Sequence, residues 1–162
     1  MQSLPNRGKQ AGHAMLEFAL VFTPLMALMM AIIDYSMPVF LRATFVHAVR
    51  EGVRYGITYR TEAGLSHAES IKRVVQNHAM GFLGGSAGLA RIQVKFYSPI
   101  TFNEVTGPTA NASGNILEVS VNDYEWNQIV PIWRSALPVR ISAISSDRLE
   151  TLPRGVVAPA PF

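Results

Sequence analysis

The sequence predicts an α+β protein: a long N-terminal transmembrane helix extending outside the membrane, a second helix, and a small antiparallel sheet of about three strands. Three observations predict it. Residues Phe18 to Ile33 are almost wholly apolar, and the run resumes after Asp34 and Tyr35 through Pro38 to Leu41. A capping-box signature, Ser66-His67-Ala68-Glu69, stands ahead of apolar residues at helical spacing. Three later runs alternate apolar and polar residues with the period of a half-buried strand.

The polar residues 1–12 contain Pro5, Gly8 and no periodicity, and read as a leader. A hydrocarbon core ~30 Å thick takes roughly 20 helical residues to cross, so Phe18 to Leu41 is long enough. Arg7 and Lys9 precede the run, which puts the N-terminus in the cytoplasm and the remainder outside. Glu17 stands at the cytoplasmic edge of the run, where a carboxylate needs a partner. A cut after Gly12 would supply one, a new α-amine at His13, one helical turn away. This is the processing logic of type IV pilin-like proteins, with Gly12, His13, Glu17 and Phe18 as the processing residues. An uncleaved signal anchor explains the leader and the hydrophobicity equally well, but leaves Glu17 without a role. A secretory signal peptide fits less, for want of a small-residue cleavage box.

The helix is expected to run on to about Tyr59, since Ala43 to Tyr59 lacks proline and repeats apolar residues at Phe45, Val46, Val49, Val53 and Ile57. Pro24 and Pro38 fall inside it, freeing the carbonyls of Leu20 and Asp34. Asp34 is expected to mark the outer interface. Beyond it, Arg50 and Arg54 share a face, Glu51 can pair with Arg54 or Tyr55, and Gly52 and Gly56 form a small-residue surface that lets another backbone approach. A solvated charged face is the alternative reading.

The start Gly12 to Leu20 with Phe-Ala-Leu-Val and Pro24, together with Ala48-Val49-Arg50-Glu51-Gly52-Val53-Arg54-Tyr55-Gly56, resembles the TadE-like minor pilins of the tight-adherence (Tad, or Flp) pilus. The resemblance covers roughly the first 60 residues. It implies cleavage by a prepilin peptidase, and subunit packing through Pro24, Arg50, Glu51, Gly52, Arg54 and Tyr55. Its partners would be major and other minor pilins, the inner-membrane platform, the assembly ATPase and membrane lipid. The competing expectation is an uncleaved membrane-anchored periplasmic scaffold of a secretion apparatus.

The organisation expected is therefore a prepilin leader over 1–12, a transmembrane and stalk helix over 13–60, an extracytoplasmic α+β domain over 61–150, and an extended, mobile Pro-rich tail over 151–162. The second helix is capped by Ser66 and carries Ile71, Val74, Val75, His78, Ala79 and Phe82 on one stripe, with His78 a packed histidine, and Gly84-Gly85 ends it. Gly84-Gly85-Ser86-Ala87-Gly88 has the form of a hydrolase nucleophile elbow, but that motif needs a strand before it and a helix after it. A flexible helix-to-strand loop is expected instead. The strands centre on Ile92-Val94-Phe96, Leu117-Val119-Val121 and Val139-Ile141-Ala143, with a long loop from Asn103 to Asn115. Asn111-Ala112-Ser113 has the glycosylation sequon form, to which no function is attached. Trp126, Trp133, Pro131 and Pro138 are placed in the connection to the last strand.

Composition excludes several classes. Without cysteine there is no disulfide framework or thiolate metal site. The net charge of +3 owes much to Arg7 and Lys9; without them 12 basic side chains face 11 acidic ones, which is no nucleic-acid-binding face. Four histidines without metal-ligand spacing and a misplaced Ser motif argue against an enzyme, a metal or a cofactor. Asp123 and Glu125 share one face of the expected strand, as surface carboxylates commonly do.

Overall fold

A computed structural model describes residues 7–129, 137–153 and 155–162. Helix α1 spans Arg7–Ile57, α2 His67–His78 and α3 Gly85–Arg91; the strands are β1 Ile92–Tyr97, β2 Ile116–Trp126 and β3 Val139–Arg148. They form an antiparallel sheet in the order β1-β2-β3. The architecture is the α+β arrangement expected from the sequence.

At 1.5 Å per residue, α1 is about 75 Å long and divides into two environments. Its first part stands clear of the rest of the molecule, with Met15, Phe18, Leu20, Val21 and Leu25 exposed. From Asp34 onward one stripe is buried: Asp34, Leu41, Phe45, Ala48, Val49, Gly52, Val53 and Gly56. That spacing is the helical period of a face laid on a core. The upper half of α1 is thus a core element of the folded domain, packed on α2, β2 and β3.

The sheet buries one face against the helices, as the alternation predicts. Ile92, Val94 and Phe96 of β1 stand opposite Val121, Val119 and Leu117 of β2, and all six are buried. The register between β2 and β3 shifts between Val121 and Tyr124. Asp123 has φ 51 there and its N–H bonds Ser142 Oγ at 3.1 Å. Such a bulge changes which side chains face inward. Tyr124 accordingly reaches the core and meets Phe45 edge-on, with ring centroids 4.9 Å apart. Trp126 ends β2, half-buried against the core, so it belongs to the strand and not to the connection beyond it. Trp133 and Pro131 lie outside the described residues.

The Ser66–Glu69 capping box forms as expected, both halves present. Three other expectations need correction. Helix α2 ends at His78, before the glycine pair, because Met80 and Gly81 adopt positive φ. His78 is exposed, its Nδ1 bonded to the Val74 carbonyl at 2.8 Å. The expected loop at Gly84–Gly88 is instead α3, held by Gln76 Nε2 donating to Leu83 O at 2.7 Å and Gly85 O at 3.2 Å. Gly88 is required by packing, since a Cβ there would lie 2.0 Å from the Leu83 carbonyl oxygen.

The tail is extended but docked. The N–H groups of His67 and Ala68, in the first turn of α2, donate to the carbonyls of Ala160 and Pro161 at 2.9 and 3.0 Å. Asn111 Nδ2 donates to Pro159 O at 2.8 Å, and Phe162 packs edge-on against Phe96. The sequence makes the tail proline-rich and short of side-chain donors; what holds it is its carbonyls, which complete the open end of α2.

Candidate functional site

The exposed part of α1 carries the expected processing residues in continuous helix. His13 Nε2 lies 3.2 Å from Glu17 Oε1, both side chains largely exposed. The carboxylate thus has a partner one turn away in the uncut chain. Gly12 is exposed, and a Cβ there would meet nothing. Phe18 stacks on Phe22 at 5.1 Å, and Pro24 is exposed inside the helix. Among the described residues α1 is the one helix long and apolar enough to cross a membrane, and no residue of its most apolar stretch is buried by the protein.

The stretch ends at Asp34, which is 3% exposed. Its Oδ1 accepts the N–H of Ile129 at 2.9 Å, joining α1 to the β2–β3 connection. Sequence reading placed Asp34 at the outer interface. Its partner comes from far along the chain, and no local pattern gives it.

The second motif is split by the fold. Gly52 and Gly56 face inward: a Cβ at Gly52 would lie 2.4 Å from Val75 Cγ2, and one at Gly56 2.5 Å from Leu117 Cδ2 and 2.7 Å from Ile71 Cδ1. The close approach expected between subunits is made within the chain, to α2 and β2. Arg50 and Arg54 are exposed, and Glu51 and Tyr55 half-buried. Among the described residues no ion pair joins Glu51 to Arg54. Glu51, Arg54 and Tyr55 line a hollow of about 420 Å³ with Thr58, Arg60, Val74 and His78. Burial, and then the Glu62 carboxylate, raise the Tyr55 phenol above its ordinary range, with Arg60 opposing.

A functional-looking group that the spacing did not reveal is His67, fully buried at the start of α2. Nε2–H donates to Gly56 O at 3.0 Å, and Nδ1 accepts from Asn111 Nδ2 at 3.3 Å. Both nitrogens are occupied by the neutral ring, and burial lowers its pKa against a smaller opposing effect of the Gly56 carbonyl. Asn111, in the sequon, is itself buried. Among the described residues no group of three His, Asp or Glu side chains is placed to hold a metal.

No curated protein and no solved structure matches the chain. Residues 12–54, from Gly12 to Arg54, match the family model described as TadE-like protein, and over that N-terminal stretch the chain is similar to that family.

Proposed function

We propose that this chain is a minor pilin or pseudopilin of a Tad/Flp-type pilus, a structural subunit rather than an enzyme. A prepilin peptidase cuts after Gly12 and leaves His13 as the new N-terminus. The subunit sits in a bacterial inner membrane with its N-terminus cytoplasmic and its domain periplasmic. The platform and assembly ATPase then bring it to major and other minor pilins, in service of adhesion and biofilm formation. One observation carries this reading: the TadE-like match falls on a helix whose first half is apolar, unburied and headed by Gly12 and Glu17.

The second reading, an uncleaved anchored scaffold, is favoured by the His13–Glu17 pair, which gives the carboxylate a partner without any cut. Co-expression with a cognate prepilin peptidase, followed by N-terminal sequencing, separates the two. A start at His13 that Gly12→Ala prevents supports the pilin reading. Retention of Met1 in the assembled protein supports the scaffold.

A further inference from the structure

Where α1 leaves the apolar stretch, a hollow of about 310 Å³ opens between the helix and β3. Its walls are Pro38, Val39 and Arg42 from α1 and Val139, Arg140, Ile141 and Ser142 from β3. We propose that this hollow binds the headgroup of an anionic phospholipid in the leaflet that the domain faces. The proposal rests on reading the first half of α1 as a membrane span.

Position along the helix is the first argument. Taking Ile33 as the last residue before the buried Asp34, Pro38 lies about 8 Å further on and Arg42 about 13 Å. The headgroup layer is about 5–8 Å deep on each side of the hydrocarbon. The hollow therefore opens at the level of the headgroups, and an arginine just above them reaches back while its stem covers apolar surface.

Charge is the second. Arg42 is exposed and forms no hydrogen bond or ion pair among the described residues. Among the described residues Arg140 has only the Glu125 carboxylate at 3.9 Å, with both side chains well exposed, a pairing of little strength. Asp34, the nearest acid below on α1, has turned its carboxylate inward to Ile129. Two guanidinium groups thus line one hollow, with no acid among the described residues of its wall, an arrangement suited to a phosphodiester.

The apolar surroundings are the third argument, and they select lipid over a free anion. Val39 is 69% exposed, and Tyr35 and Phe40 lie exposed on the same segment of α1. At the β2–β3 connection Ile129 and Leu137 are exposed at 61% and 77%. Pro38 and Val39 line the hollow on the side from which an acyl chain would enter.

The test uses the full chain. Flotation with phosphatidylcholine vesicles first checks insertion; a chain that does not float overturns the anchor and this proposal together. The protein in neutral detergent is then titrated with phosphatidylglycerol or phosphatidylcholine, and retained lipid is counted by native mass spectrometry. We expect selective retention of phosphatidylglycerol, falling about fivefold in Arg42→Ala and about twentyfold when Arg140→Ala is added. Arg50→Ala, two turns further along α1, should leave retention unchanged, and Glu125→Gln should increase it. Normal flotation with equal retention of both lipids, or undiminished retention in the double variant, overturns the lipid site and leaves the anchor standing. Inorganic phosphate that displaces phosphatidylglycerol at equal concentration overturns the choice of lipid over free anion.

Discussion

His67 donates from Nε2 to the carbonyl of Gly56 at 3.0 Å, so the first turn of α2 is tied to the last turn of α1 by a fully buried imidazole. Tyr59 stacks on one side of that ring at 5.7 Å, and Phe96 lies on another at 6.1 Å. Asn111 Nδ2 donates both to His67 and to Pro159 of the tail. One side chain therefore connects the end of α1, the start of α2 and, through Asn111, the docked tail.

Acid should weaken this connection. The folded pKa of His67 is lowered from 6.5, chiefly by burial, so the unfolded chain takes up a proton at a pH where the folded chain resists it. The contribution is complete above about pH 6.5 and is lost as pH falls through the lower folded value. A proton on Nδ1 would also confront the Asn111 amide donor. Thermal unfolding of the full chain in detergent should give a midpoint that is flat near pH 7.5 and falls below pH 6.5. His67→Gln should flatten that dependence, at a cost of about 2 kcal/mol at neutral pH from lost hydrogen bonding and packing. An unchanged acid slope in His67→Gln would assign the sensitivity to other groups.

The two inward glycines of α1 should differ in tolerance. An added methyl at Gly52 would lie 2.4 Å from Val75 Cγ2, a branched side chain stiff at χ1. At Gly56 the atoms met first are Leu117 Cδ2 and Ile71 Cδ1, the ends of longer side chains. Overpacking costs about 1–3 kcal/mol, and replacing Gly by Ala in a helix returns about 1 kcal/mol. Gly52→Ala should therefore destabilise by up to about 2 kcal/mol and Gly56→Ala by less. Gly52→Leu should prevent the domain from closing. Denaturant midpoints of the variants give the order, and a higher midpoint for Gly52→Ala than for Gly56→Ala would reverse the assignment.

What was legible in the sequence follows the range of the interactions. Capping at Ser66, the alternation in the three strands and the apolar run of α1 are set by neighbours within a few residues, and all are found. The buried His67, the docked tail and the inward turn of Asp34 each depend on partners tens of residues away, which no local period encodes. The glycines at 52 and 56 were recognisable as a close-approach surface, but the partner was not. Spacing shows that a backbone can be approached, not that α2 of the same chain does so. The short α3 was missed because Gly84, Gly85 and Gly88 signal a loop, while Gln76, from α2, supplies the bonds that hold its start.

Asp34 offers the sharpest separation between a membrane role and a folding role. A carboxylate left in hydrocarbon would cost several kcal/mol, and its removal would improve insertion. This one is 3% exposed and accepts the Ile129 N–H at 2.9 Å, so its removal leaves a part-buried donor unpaired. Asp34→Ala should destabilise the domain by about 1–3 kcal/mol while the full chain still floats with neutral vesicles. The loss should concentrate at the β2–β3 connection, so limited proteolysis should cut the variant between Trp126 and Val139 faster than the parent chain. Asp34→Asn keeps an oxygen acceptor and should retain most of the protection. Equal cleavage rates in the parent and Asp34→Ala, with improved membrane insertion, would instead make Asp34 a buried charge tolerated at the bilayer edge and not the clasp between α1 and the sheet.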